Sequence, residues 1–123
     1  MQTVRAPAVA GLFYPADAAE LHAQVRHFLN QVQPSAEPPP KAIIAPHAGY
    51  IYSGPVAASA YARLKAARDT ISRVVLLGPS HRVGFRGIAV SGMTAFATPI
   101  GRIAVDQEAV EQVRQLPDVG FLE

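Results

Sequence analysis

Cysteine is absent from these 123 residues. Disulfides and thiolate metal ligands within the chain are therefore excluded. Charge is sparse, at 16% of residues with a net +2. The basic residues are mostly Arg and never gather into a run, so nothing marks a nucleic-acid footprint. Also missing is any stretch near the roughly 18 consecutive apolar residues that span a bilayer as a helix. The opening MQTVRAPAVAGLFYP has one early Arg and a short, interrupted apolar segment, unlike a signal peptide. A soluble, cytoplasmic protein is expected, with neither nucleic acid nor membrane as partner. No internal repeat, phosphate-binding P-loop or Gly-x-Ser-x-Gly nucleophile elbow occurs.

What remains is a globular composition, half of it apolar, at a length suited to one domain. Asp17 with Glu20 three positions on forms a capping-box-like helix start. Leu21, Val25, Phe28, Leu29 and Val32 then follow helical spacing, so this helix should run to about Gln33. The proline-rich PSAEPPP, residues 34–40, reads as a surface loop. Two apolar runs follow, about Lys41 to Ala45 and Arg73 to Gly78, rich in Ile, Val and Leu and without polar alternation. Such runs suit strands buried on both faces of a parallel sheet. Between them an Ala-rich helix is expected over about Gly54 to Ala67, capped by Ser53 or Gly54 with Pro55 in its first turn. Its small side chains suit close packing on a sheet. A third strand is expected at about Gly87 to Val90. An extended pair broken by Pro99 and Gly101 follows, and then a helix from the N-cap Asp106 to about Gln115.

Each of the two apolar runs is followed within two to four residues by a histidine, His47 in AIIAPHAGY and His81 in VVLLGPSH. Strand, helix, strand is the βαβ unit, and its ligands bind beyond the carboxyl ends of the strands. On neighbouring strands about 4.8 Å apart, the two imidazoles would converge. A convergent histidine pair suits Fe(II), Zn, Cu or Mn, or an acid–base pair without metal. Tyr50 and Ser53 bring hydroxyls to the same loop as candidate substrate-binding groups. The following helix turns its positive N-terminus toward the crevice. His22 and His27, on the first helix, read as surface residues. No carboxylate offers itself as a third ligand: Asp17, Glu20 and Asp106 read as helix-start residues, Glu37 sits among prolines, and Asp69, Glu108 and Glu111 read as surface charges.

The blocks RAPAVAGLFYP, AIIAPHAGYIYSGPVAASAY, LLGPSH and TPIGRIAVD, in this order, resemble the Memo-like family, known in prokaryotes as AmmeMemoRadiSam system protein B. The resemblance covers about Arg5 to Asp106. It implies an α/β fold, mainly a parallel sheet flanked by helices, like that of class III extradiol dioxygenases with non-haem Fe(II). His47 and His81 match two metal-site histidines of that comparison, where they would serve as catalytic metal ligands. A divalent transition metal is implied, Fe(II) first, with Cu or Zn as alternatives. AMMECR-type and radical-SAM proteins are implied as partners, and a small molecule or peptide as occupant of the crevice. Family members are more than twice this length and carry Glu-His-Ser-x-Glu-x-His and Ser-Asp-x-x-His segments downstream. The expectation is a single Memo-like domain over residues 1–123, truncated at its C-terminus, whose third ligand lies outside the chain. A dioxygenase-like oxidoreductase is the first functional expectation. A non-enzymatic binding or signalling protein is the second, and a metal-dependent hydrolase the third.

Overall fold

The computed structural model describes residues 3–122. Along them run β1 (Val4–Arg5), α1 (Ala18–Asn30), α2 (Tyr50–Tyr61), a 3₁₀ helix (Ala62–Ala67), β2 (Ile88–Val90), β3 (Ala95–Thr98), β4 (Gly101–Ala104), α3 (Gln107–Val113) and β5 (Val119–Phe121). The chain is mixed α/β. It divides into two compact units, a helical one over Ala8–Val75 and a sheet-bearing one built from residues 3–7 and 76–122. No described helix is long and apolar enough to cross a membrane.

In the helical unit, α1 starts where the sequence predicts. The Asp17 carboxylate accepts the Glu20 amide at 2.9 Å, satisfying one of the helix's orphan donors, an arrangement worth about 1 kcal/mol. The helix stops at Asn30, short of the expected Gln33. Helix α2 begins a turn earlier than expected. Gly49 occupies the N-cap, and its carbonyl accepts the Tyr52 and Ser53 amides at 2.9 and 3.0 Å. Pro55 therefore lies inside the helix. It cannot donate to the carbonyl of Ile51, four residues back, but Ile51 is exposed, so solvent can satisfy that group. The small face expected to lie on a sheet meets α1 instead. A Cβ built on Gly54 would stand 2.5 Å from Cε2 of Phe28, so only glycine permits this approach without a shift. Leu21, Ser53 and Ala58 are buried in this unit.

The two runs expected as buried strands are not strands. Residues 41–45 and 73–78 have no regular structure, and neither pairs with a strand among the described residues. Ile44 is 98% exposed, Val74 78% and Val75 86%. The apolar pattern of these runs is that of a strand. A strand, however, exists only where a second backbone takes up its amides and carbonyls.

In the sheet-bearing unit, β3 is central. It pairs with β1 in parallel, Val4 opposite Ala95, and with β4 antiparallel, Phe96 opposite Ile103. This hairpin is the extended pair predicted around Pro99 and Gly101. The Thr98 hydroxyl closes its turn, accepting the Ile100 and Gly101 amides at 3.2 Å. β2 and β5 form a separate parallel pair. Gly87, at φ +80°, lets the chain enter β2 beside the Asp118 carbonyl, where a Cβ would collide with backbone. Asp106 caps α3 by accepting the Ala109 amide at 3.0 Å, as the sequence predicts, and α3 ends at Val113 rather than Gln115.

Candidate functional site

The sequence's candidate residues fall into two groups. His47, Tyr50 and Ser53 share the loop and first turn that open α2 in the helical unit. His81 lies in the sheet-bearing unit, in the loop preceding β2.

The first group sits on a built support. Ser53 is 5% exposed, and its hydroxyl donates to the Ala48 carbonyl at 2.7 Å and reaches the Gly49 carbonyl at 3.3 Å. In this structure Ser53 holds the loop. The Tyr50 amide donates to the Phe13 carbonyl at 2.8 Å. The Tyr50 ring lies against Tyr14, with centroids 5.5 Å apart and planes tilted by 43°. Burial pushes the Tyr50 phenol above its usual pKa, and the nearby Tyr14 and Tyr61 phenols add to the rise. Tyr50 is thus held as a neutral O–H, able to donate a hydrogen bond. Upstream, Arg63 pairs with Glu37 at 2.9 Å and reaches the Pro38 carbonyl at 3.4 Å, tying the proline-rich loop to the 3₁₀ helix. Sequence reasoning missed this role for Glu37, and it missed Phe13 and Tyr14 as supports of the His47 loop. The conspicuous GLFYP block was their signal.

The second group sits in a local turn. The Ser80 hydroxyl donates to the Val83 carbonyl at 2.6 Å and accepts the Val83 amide at 3.4 Å, closing a turn around His81. Beside this turn is an open depression of about 410 Å³, whose lining includes Leu76, Leu77, Val83, Phe85 and Ile88.

Both histidines are exposed at the surface of their units. Neutral imidazoles suit Fe(II), Zn and Cu. Among the described residues, no three His, Asp or Glu side chains gather as a metal-binding group. Glu37 and Glu111 are instead engaged by Arg63 and Arg114, and Asp17 and Asp106 cap helices. His22 and His27 are exposed on α1 as expected, the latter with its ring 6.0 Å from that of Phe28.

The Memo-like protein family profile matches residues 5–123. The chain belongs to the Memo-like family. A MEMO1 family protein of Aquifex aeolicus is 42% identical over 114 residues, which are 93% of this chain and 41% of the relative. A MEMO1 family protein of Methanocaldococcus jannaschii is 37% identical over 122 residues, covering 92% of this chain and 42% of its own length. Human Protein MEMO1 is 41% identical over 99 residues, or 80% of this chain and 32% of the human protein. This Memo-like chain thus spans less than half the length of these relatives.

Proposed function

We propose that this Memo-like chain contributes two ligands, His47 and His81, to a mononuclear metal site of a dioxygenase-like oxidoreductase. The observation that carries the reading is the loop of His47. It is fixed from below by the buried Ser53 hydroxyl and from the side by the Phe13 carbonyl. Both histidines also lie within the family match. Two imidazoles are two of the three protein donors that non-haem iron sites commonly use, and the third would come from outside this chain. Fe(II) is favoured, with Cu or Zn as alternatives. The metal, when bound, would supply open positions for O₂ and substrate.

The chain's own residues would set the surroundings. Ser53 keeps the His47 loop in place. Tyr50, held protonated by burial, donates a hydrogen bond to a substrate oxygen or a bound water. The N-terminal end of α2, just after His47, favours negative charge on that ligand. AMMECR-type and radical-SAM proteins are the partners this family reading suggests, in the cytoplasm.

Metal content tests the reading. The chain is purified without oxygen, alone and co-expressed with the length of the Aquifex relative that it does not match. Near-stoichiometric iron in the co-expressed form, lost in His47→Ala/His81→Ala, is the expected result. Zinc in its place would favour the hydrolase chemistry of an activated water. Folded protein without metal in both forms overturns the site.

A second reading rests on the open depression beside His81. Its lining mixes apolar side chains with an equal share of polar surface, which suits a peptide bound without chemistry. Peptide binding that survives His81→Ala would favour this reading.

A further inference from the structure

The proline-rich segment 34–40 is a feature of the sequence that the site above does not use. Pro34, Pro38 and Pro39 are exposed, and Pro40 is half-buried. Residues 38–40 are three prolines in succession, followed by the exposed Lys41. The pyrrolidine ring fixes φ at about −65° in each. A residue that precedes a proline is also steered away from the helical region, and here Glu37, Pro38 and Pro39 all do so. Together these restraints dictate a polyproline II stretch, which makes no hydrogen bonds of its own.

The stretch is clamped at its start. The Ser35 hydroxyl accepts the Glu37 amide at 3.2 Å. The Glu37 carboxylate pairs with Nη2 of Arg63 at 2.9 Å, and the same nitrogen donates to the Pro38 carbonyl at 3.4 Å. The Nε of Arg63 is buried and has no hydrogen-bond partner among the described residues, so this side chain serves the loop rather than its own inner donor. A spacer that merely joins α1 to the next segment needs fixing only at its two ends. Here the clamp lies in mid-loop, directly before the prolines, and leaves Pro38 and Pro39 exposed. It also neutralises Glu37, so Lys41 sets the charge beside the prolines.

We propose that residues 37–41, held ready by the Glu37–Arg63 clamp, are a recognition element for a protein partner with an aromatic-lined groove and an acidic rim. Grooves of this kind read polyproline segments because the chain is already ordered and loses little entropy on binding. Spacing narrows the groove. No two prolines of 34–40 stand three positions apart, so the segment does not fit a groove that needs the PxxP register. Successive prolines do fit a single slot between two aromatic rings, the arrangement of WW domains. Lys41, next in sequence, would meet the acidic rim. The proposal stands whether or not a metal is bound.

A purified WW domain that reads successive prolines flanked by Lys or Arg is the probe, titrated into the isotope-labelled chain and followed by amide chemical shifts. Saturable shifts centred on the Glu37 and Lys41 amides are expected. Pro38→Ala/Pro39→Ala should weaken binding by about tenfold or more, as loss of an anchor does. Both prolines are exposed, so the helix content of this variant should not change. Arg63→Ala should weaken binding by about threefold, because the stretch is then no longer ordered in advance. Arg63→Lys, which keeps a cation opposite Glu37, should recover most of that loss. A folded chain whose Glu37 and Lys41 amides do not respond overturns the proposal. So does binding of equal strength in Pro38→Ala/Pro39→Ala, or a response centred on other residues. Unchanged affinity in Arg63→Ala overturns the role given to the clamp.

Discussion

The loops of His47 and His81 are near twins in sequence. Each follows an apolar run, each has a proline before the histidine, and each lies close to a serine. In the structure they differ in what supports them. The His47 loop runs directly into a twelve-residue helix whose buried serine holds it, and a second segment, Phe13 and Tyr14, braces it. The His81 loop has a local turn closed by Ser80. A sequence pattern repeated along a chain therefore does not repeat its contacts, for Phe13 and Tyr14 reach the His47 loop from far away in sequence.

The two units can be broken separately, and glycines give the largest effects. At Gly87 a Cβ would meet the Asp118 backbone carbonyl, and φ is +80°. Strain at a left-handed position alone costs about 1–3 kcal/mol, and backbone cannot swing aside. At Gly54 a Cβ meets the edge of the Phe28 ring, which can tilt, so overpacking there costs about 1–3 kcal/mol with no added φ term. Gly87→Ala should release protection of the Ile88 amide, bonded to Asp118 at 2.8 Å, and leave the helical signal intact. Gly54→Ala should lower the denaturation midpoint of the helical signal and spare Ile88. A helical signal indifferent to Gly54→Ala would mean that the α1–α2 seam is looser than the structure gives it.

The serines sharpen the comparison at lower energy. Ser53→Ala removes the donor to the Ala48 carbonyl in a buried setting and should cost about 1–2 kcal/mol. Ser80→Ala acts in an exposed turn and should stay within about 0.5 kcal/mol. Equal effects in urea denaturation would erase the distinction between a built loop and a local one.

Local signals in this sequence were legible. Asp17 and Asp106 cap the helices they were expected to cap, and Pro99 and Gly101 mark the β3–β4 hairpin. Each depends on neighbours a few residues away. The failures have several causes. Residues 41–45 and 73–78 carry a strand pattern, but pairing depends on a second backbone that the pattern itself does not supply. The start of α2 was misplaced because Pro55 is preferred in a first turn, while Gly49 and the buried Ser53 hydroxyl favoured a start one turn earlier. Pairing of Glu37 with Arg63, 26 positions on, had no local signature. His47 and His81 were conspicuous from their positions after apolar runs. The supports of His47 became visible only once Phe13 and Tyr14 were seen beside Tyr50.

The smallest expected effect concerns pH and belongs to the His47 side alone. Burial, followed by the Tyr14 and Tyr61 phenols, raises the Tyr50 pKa above its ordinary value. A group with a raised pKa holds its proton in the folded state after the unfolded chain has lost it. Above the ordinary tyrosine value of about 10 the native state therefore binds more protons, and stability falls with rising pH. The loss begins near pH 10 and ends once pH has passed the folded-state pKa. Below pH 10 Tyr50 contributes no slope. Urea midpoints of the helical signal between pH 9 and 11.5 should fall more steeply in the wild type than in Tyr50→Phe, which keeps the ring against Tyr14 but cannot ionise. Parallel curves for the two proteins would mean that the phenol is solvated, and that the brace between residues 13–14 and α2 opens in solution.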